Sequence, residues 1–309
     1  MPNSTVRTAL LRSTSRLIGR WWFDAAPDWD RVRRREAAGT RFARAPRGVR
    51  VTAGELGGRP AEILTPAGAP ADAAVLYLHG GGFTMGTPQM LRPITGLLAA
   101  TMGTTVYALD YRLAPEHVYP AAIDDAVAAY RALLERGIPA ERIAVAGDSA
   151  GGDLTIEVGL RVRDAQLPAP AVLGAICPVL DFSDGSAAFD CDPSREPLLS
   201  PEVIAQFTDA YLPGVTQERR REISPAYRDI TGLPPIVLHS ATDDPLAGDA
   251  RRFADRAAKT GAPLRHSEYR GLWHVFHALP MPQAREAVRD LAGMLAERIY
   301  GRSGYRATA

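Results

Sequence analysis

Ser149 lies in the sequence G-D-S-A-G at residues 147–151, a G-x-S-x-G pattern that directly follows a short apolar run. The run Ile143 to Ala146 carries β-branched residues and predicts a buried strand, and the residues after Ser149 predict a helix. A serine on so sharp a strand-to-helix turn presents its hydroxyl at the carboxyl edge of a sheet, and Gly147 and Gly151 leave room for the neighbouring chain. The pattern therefore predicts a nucleophile. Alone, it also fits an ordinary glycine-rich connection.

A second glycine-rich segment, H-G-G-G-F at residues 79–83, follows the apolar run Ala73 to Leu78. Its backbone N–H groups can approach a ligand closely because side chains are almost absent. In acyl transfer such donors hold the developing oxyanion and contribute about 2.7–4 kcal/mol each. We expect an oxyanion hole formed by the N–H groups of Gly81, Gly82 and Ala150. A phosphate-binding loop is disfavoured, because neither G-x-G-x-x-G nor a Walker lysine is present.

An acid and a base follow the last two predicted strands. Asp243 and Asp244 stand just beyond the strand Pro235 to His239, where a triad carboxylate belongs, and either residue fits this role or that of a helix N-cap. His274, in the loop after the final strand, is the candidate base. The chain order serine, aspartate, histidine is that of the α/β-hydrolases and differs from the two familiar protease orders.

The remaining histidines give little support to a metal site. His277 and His266 fit core or surface roles better than catalysis, and the sequence has neither H-E-x-x-H nor paired cysteines. We therefore expect no metal and no cofactor.

The elements that position these residues alternate between strands and helices. Strands are predicted over residues 49–64 (a hairpin turning at Gly57-Gly58), 73–78, 104–109, 143–146, 171–176, 235–239 and 264–269, and helices over 121–134, 248–259 and 283–300. This alternation predicts one mainly parallel sheet covered on both faces. More than fifty residues separate Cys177 from Pro235 and include a helical stretch, Pro201 to Tyr211, which suggests a lid or inserted subdomain.

Residues 1 to about 45 are helical and amphipathic in pattern, with apolar residues that include Leu10, Leu17, Ile18, Trp21, Trp22 and Phe23. A basic run at residues 31–35 raises the possibility of a membrane-surface helix. We favour a helix pair that packs its aromatic face on the rest of the protein and exposes its arginines to water.

The motifs together resemble the hormone-sensitive-lipase-like esterases, a family of α/β-hydrolases marked by H-G-G-G and G-D-S-A-G-G. The resemblance covers roughly residues 70–300 and includes D-Y-R-L-A-P-E at 110–116 and D-P-L at 244–246. It implies a triad of Ser149, His274 and Asp244, because the family's catalytic aspartate precedes proline. It also implies a catalytic domain over 46–309 with a helical cap, formed by residues 1–45 and an insertion at about 181–228.

The resemblance implies a serine carboxylic-ester hydrolase acting on small to medium acyl esters through an acyl-enzyme. Lactone hydrolases and acetyl hydrolases of small metabolites resemble the same family and remain alternatives. A non-catalytic binding protein on this fold is disfavoured because all three triad residues are present. Two positions depart from the family pattern: Val275 stands where glycine is common after the catalytic histidine, and Asp153 where asparagine is common. A homodimer through an edge strand is expected by resemblance.

Composition excludes several other classes. Thirty-six basic and 35 acidic residues give a formal net charge of +1, which indicates neither a nucleic-acid partner nor an anionic membrane surface. Asp124, Asp125 and the run 218–222 are expected on solvated faces with local ion pairs. Only two cysteines, Cys177 and Cys191, indicate a reducing compartment. With no secretory signal and no membrane span in the pattern, we expect a cytoplasmic protein.

Overall fold

The structure is a computed structural model that describes residues 4–22, 27–40, 43–190, 192 and 194–301. Phe23, Cys191 and the side chains of Ile18, Trp21 and Trp22 fall outside this description, so the apolar face predicted for the N-terminal segment is described only in part.

Eight strands form one sheet in the order β1-β2-β4-β3-β5-β6-β7-β8. The hairpin β1/β2 and the β2/β4 pair are antiparallel, and every pair from β4 to β8 is parallel. The strands are β1 Val49–Leu56, β2 Arg59–Pro66, β3 Ala74–Leu78, β4 Thr105–Leu109, β5 Ile143–Asp148, β6 Val172–Ile176, β7 Ile236–Ala241 and β8 Leu264–Tyr269. The mostly parallel sheet and the hairpin turn at Gly57-Gly58 confirm the prediction from sequence.

Nine helices accompany the sheet within the described ranges. They are α1 Ser4–Trp22, α2 Trp29–Thr40, α3 Arg92–Met102, α4 Ala121–Glu135, α5 Ala150–Asp164, α6 Pro201–Tyr211, α7 Gln217–Ile223, α8 Ala247–Thr260 and α9 Pro282–Tyr300. Predicted helices at 121–134, 201–211, 248–259 and 283–300 are confirmed to within one residue at each end. None of the helices in these ranges is long and apolar enough to cross a membrane.

Both faces of the sheet are buried, as the continuous apolar runs of the parallel strands require. On β3, Leu76 and Leu78 point into one core, which is completed by residues of α4, α5 and α8. Val75 and Tyr77 point to the opposite face, into a core completed by α3 and α9. This alternation follows from the two-residue period of a strand. The sheet is therefore a rigid platform whose carboxyl edge carries the candidate catalytic loops.

One surface assignment from the sequence was wrong. Asp125 on α4 is buried, and its carboxylate forms a bidentate pair with Arg112 at 2.7–3.0 Å. The sequence predicted a solvated face for Asp125, but the segment after β4 brings Arg112 onto the carboxylate. The pairing compensates the cost of burying that charge. In the run 218–222, Arg219 and Glu222 form the expected exposed local ion pair at 2.7 Å.

Candidate active site

Ser149 occupies a strained turn between β5 and α5. Its backbone lies at φ 54° and ψ −119°, a conformation that a side-chain-bearing residue rarely adopts. The Ser149 N–H donates to the carbonyl of Ile176 on the next strand at 2.8 Å, which fixes the turn to the sheet. A Cβ atom at Gly147 or Gly151 would lie 2.2 Å or 1.9 Å from a backbone oxygen, so only glycine fits at either place.

The predicted acid and base lie beside this serine. The Nε2 atom of His274 is 2.8 Å from the Ser149 Oγ, and its Nδ1 atom is 2.9 Å from the Asp244 Oδ2. Because a carboxylate accepts only, Nδ1–H donates to Asp244, and Nε2 is left with a lone pair to accept from the serine hydroxyl. The three side chains, drawn from loops after β5, β7 and β8, form a continuous hydrogen-bonded chain that can activate a hydroxyl nucleophile.

The structure also separates the two candidate carboxylates. The second oxygen of Asp244, Oδ1, accepts from the N–H of Leu246 at 2.9 Å, and this bond orients Asp244 toward His274. Asp243 points away and pairs with Arg12 of α1 and with Arg195, each at 2.8 Å. Neighbouring aspartates thus have different tasks, and only Asp244 contacts the imidazole.

The three expected oxyanion donors gather around Ser149. Gly81 and Gly82 line the same cavity as Ser149, and Ala150 is the first residue of α5, where the N–H groups have no helical acceptor. Within the described part of the chain, none of these three N–H groups donates to another protein atom. Gly82 has φ 59°, and a Cβ there would lie 2.2 Å from the Phe207 ring.

Packing behind the glycine loop holds it in place. His79 stacks on Tyr111 with ring centroids 4.2 Å apart, and the Tyr111 hydroxyl donates to the His79 carbonyl at 2.7 Å. Asp148 accepts from the Tyr77 hydroxyl at 2.8 Å, and burial raises the pKa of Asp148 to about 6. This hydrogen bond ties the residue before Ser149 to β3.

A cavity of about 280 Å³ opens onto Ser149 and His274. Its polar wall is the glycine loop together with Asp148, Ser149 and His274, whereas the rest is mainly apolar. The apolar residues come from the loop after β3, the chain around α6 and the segment after His274: Met85, Met90, Leu91, Leu198, Leu199, Phe207, Val275, Ala278 and Leu279. Ser15 of α1 completes the lining. Such a cavity suits a small, mostly apolar molecule with one polar reacting group.

Comparison with known proteins identifies the family. Residues 75–278 match a family described by the alpha/beta hydrolase fold. An acetyl-hydrolase of Streptomyces hygroscopicus is 37% identical over 251 residues, which cover 78% of this chain and 83% of that protein. The carboxylesterase NlhH of Mycobacterium tuberculosis is 35% identical over 231 residues, 71% of this chain and 72% of that protein. A solved esterase of the bacterial hormone-sensitive lipase family has a TM-score of 0.86 and 29% identity over 93% of this chain and 98% of its own.

The chain belongs to the hormone-sensitive-lipase-like esterases. The family, the α/β-hydrolase fold and the carboxylesterase class of serine hydrolase predicted from the sequence are thereby confirmed. The reaction class of this esterase is ester hydrolysis, and the geometry above describes the groups available for it.

Glu196 is a buried carboxylate at this site that the sequence did not reveal. It accepts from the His274 N–H at 2.8 Å and from the Leu198 N–H at 2.7 Å, so it ties the histidine loop to the chain before α6. Burial and the nearby Asp244 raise the pKa of Glu196 to about 7. Its segment is irregular and carries no periodic or motif signal, and its partner is 78 residues away, so nothing local indicated this contact.

The charged groups around His274 favour the protonated form of its imidazole. Burial lowers the pKa of His274, but the carboxylates of Asp244, Glu196 and Asp148 more than offset this effect, and the pKa is raised overall. An imidazolium at His274 is therefore stabilised by the surrounding negative charge. Raised basicity in the resting enzyme also strengthens His274 as a proton acceptor.

Both departures from the family pattern have structural consequences. Val275 adopts the left-handed φ of 45° at the position where this family commonly has glycine, which costs about 1–2 kcal/mol for a residue with a Cβ. Asp153 is buried on α5, and neither carboxylate oxygen has a hydrogen-bond partner among the described residues. Burial and the neighbouring Glu157 raise the pKa of Asp153 well above its usual range, which favours the neutral form of this carboxyl.

Proposed function

We propose that this esterase hydrolyses short- to medium-chain acyl esters through a covalent intermediate on Ser149. The proposal rests on the hydrogen-bonded chain from Ser149 through His274 to Asp244. Ser149 and His274 line a mainly apolar cavity. At about 280 Å³, the cavity is just below the usual volume range of ligand pockets, about 300–1,000 Å³. A short acyl chain fits this volume, and a long one must extend out of the cavity.

The proposed reaction has two half-steps. His274 takes the Ser149 proton as the Oγ attacks the ester carbonyl, and the N–H groups of Gly81, Gly82 and Ala150 hold the oxyanion. The alcohol leaves with the proton from His274. Water then attacks the acyl-enzyme with the same base, and Ser149 is regenerated. Asp244 orients the imidazole and stabilises its charged form throughout.

The cap expected from the family resemblance forms part of the proposal. Ser15 on α1, together with Leu198, Leu199 and Phe207 from the insertion after β6, contributes to the cavity wall opposite the sheet edge. Residues 1–45 and about 181–228 are therefore proposed as the cap over a catalytic domain at 46–309. The cytoplasmic location and the homodimer stay predictions.

A second candidate is removal of an acetyl group from a small metabolite. One relative is named an acetyl-hydrolase, and the small cavity favours a two-carbon acyl group over a long chain. The chemistry at Ser149 is the same, because only the group that leaves the tetrahedral intermediate differs.

Initial rates on p-nitrophenyl acetate, butyrate, octanoate and laurate test the proposal. We expect acetate and butyrate to be the best substrates, with rates that fall steeply toward laurate. Ser149→Ala is expected to lower kcat by roughly 10⁴- to 10⁶-fold and to abolish labelling by a fluorophosphonate. Ser149→Ala with normal turnover would overturn the assignment of the nucleophile. Full labelling with slow turnover of every ester would direct the search to acetylated metabolites.

A further inference from the structure

A free thiol lies behind the Asp244–His274 pair. Cys177 follows β6 directly, is buried, and is fixed by its N–H, which donates to the His239 carbonyl at 2.7 Å. One ligand atom from each of Cys177, Asp244 and His274 lies within 4.8 Å of the other two, and all three residues are buried. The catalytic mechanism gives the thiol no task.

Topology explains why no sequence motif marks this cluster. Cys177, Asp244 and His274 follow β6, β7 and β8, which are neighbours in the sheet and run parallel. Their carboxyl ends meet at one edge, so residues far apart in sequence converge there. Metal motifs on a single helix or hairpin show a short spacing, which is absent here.

The donor set matches one class of ligand. Thiolate sulfur, imidazole nitrogen and carboxylate oxygen are the ligands that Zn²⁺ takes in proteins, commonly three of them with one open position. Their bond lengths, about 2.0–2.3 Å, place ligand atoms roughly 3.3–3.6 Å apart in a tetrahedron. The ligand atoms lie within 4.8 Å of one another, and His274 Nδ1 and Asp244 Oδ2 are 2.9 Å apart, so small shifts of these side chains give this geometry.

Charge balance also favours a divalent ion. A thiolate, a carboxylate and a neutral imidazole carry two negative charges in total, so a divalent cation bound among them gives a complex with no net charge. A neutral complex avoids the large cost of burying an unpaired charge. The thiolate selects soft ions such as Zn²⁺ and Cd²⁺ over Mg²⁺ and Ca²⁺, which prefer oxygen ligands.

We propose that Cys177, Asp244 and His274 form an inhibitory binding site for a thiophilic divalent cation of the Zn²⁺ or Cd²⁺ type. Binding forms bonds from the metal to sulfur, to a carboxylate oxygen and to Nδ1. The thiol proton leaves to solvent, and the single imidazole proton moves from Nδ1 to Nε2. Nε2 then donates to Ser149 instead of accepting from it, so the serine loses its base. This last step rests on the proposed role of His274, whereas metal binding itself does not.

The route to the site predicts slow inhibition. His274 is the member of the cluster that lines the cavity, whereas neither Cys177 nor Asp244 contributes to its wall. An ion entering from the cavity must pass the imidazole, so the ring has to move before all three ligands engage. We expect inhibition to develop over time after mixing.

The test uses the reduced, chelator-treated full chain and CdCl₂, with spectroscopy and activity read in parallel. Thiolate coordination of Cd²⁺ produces a charge-transfer absorption in the ultraviolet, and titration gives the stoichiometry. Cys191→Ser is the matched control, because it removes the other cysteine of the chain and leaves Cys177 in place. We expect one Cd²⁺ per chain and time-dependent loss of p-nitrophenyl butyrate hydrolysis in the parent protein and in Cys191→Ser.

Cys177→Ser is expected to lose the absorption band and to need at least about 10-fold more Cd²⁺ for half-inhibition relative to its own metal-free rate. His274→Ala, read by absorption alone, is expected to bind Cd²⁺ more weakly. If Cys177→Ser is inhibited at the same concentration as the parent, the site is elsewhere and the proposal fails. Stoichiometric binding through Cys177 with an unchanged rate overturns the inhibitory role. The nucleophile assignment is tested separately by Ser149→Ala, so the two failures are distinguishable.

Discussion

Arg12 on α1 holds the N-terminal helix against the candidate active site. Its guanidinium donates to the Asp243 carboxylate at 2.8 Å and to the Gly271 carbonyl at 2.9 Å, contacts the Arg195 carbonyl, and lies over the Trp273 ring at 4.8 Å from the centroid. A charged hydrogen bond contributes about 1.5–3 kcal/mol and an exposed cation–π contact about 0.5–1 kcal/mol. Because Asp243 keeps Arg195 as a partner, we expect Arg12→Ala to weaken docking of α1 by about 2–3 kcal/mol.

Amide hydrogen exchange measures this docking directly. If the α1 amides exchange through undocking of the helix, a loss of 2–3 kcal/mol accelerates their exchange by about 30- to 150-fold, since each tenfold change corresponds to about 1.36 kcal/mol. Ser15 on the same helix lines the cavity, so KM for p-nitrophenyl octanoate is expected to rise more than KM for the acetate.

Arg16→Ala is the matched control for Arg12→Ala. Arg16 lies one turn further along α1 and makes one hydrogen bond within the described ranges, to the Ser194 carbonyl at 2.5 Å, so its removal is expected to accelerate α1 exchange by less than about 10-fold. Two results would refute the reasoning: unchanged α1 exchange in Arg12→Ala, or equal effects of the two substitutions.

Two further predictions concern the proposed catalytic base and oxyanion hole. Glu196→Gln removes a negative charge that raises the pKa of His274. The acid limb of the pH profile of kcat/KM is therefore expected to move to lower pH. An acid limb that does not move would show that the charge of Glu196 does not act on His274. Gly82→Ala places a Cβ 2.2 Å from the Phe207 ring and shifts the oxyanion loop, with an expected loss of about 10²-fold or more in kcat. The control is Gly214→Ala, at φ 69° with no atom within 4 Å of the added Cβ, which carries similar backbone strain and is expected to keep its rate. Equal losses in the two glycine variants would contradict the clash.

The sheet and the turn at Ser149 could be predicted from the sequence because each depends on residues that are close together in the chain. The turn at Ser149 follows from a buried strand, a helix and two glycines within eleven residues, and the sheet follows from apolar runs separated by helices. The choice between Asp243 and Asp244 was different. Their identical chemistry left both possible until the D-P-L resemblance favoured Asp244, and the structure places that residue against His274.

Contacts between distant segments could not be predicted in the same way. Glu196 contacts His274 from an irregular segment, and the Asp125 carboxylate is buried against Arg112, which belongs to the segment after β4. Neither contact leaves a pattern in its own neighbourhood. Cys177 could be predicted only in part. The apolar run before it places it at the end of β6, but its nearness to Asp244 depends on the order of strands in the sheet.

The charges around the histidine loop give Arg12 a second role beyond holding a helix. Asp243 and Asp244 are adjacent and both buried, and two buried negative charges so close repel each other unless one is neutralised. Arg12 and Arg195 pair with Asp243, one from α1 and the other from the segment before α6. Asp244 is left with the imidazole as its ionic partner, so its charge acts on His274. The two segments proposed as the cap therefore each supply a cation that isolates the charge of Asp244, and undocking either one weakens both the cavity wall and the electrostatic support of the base.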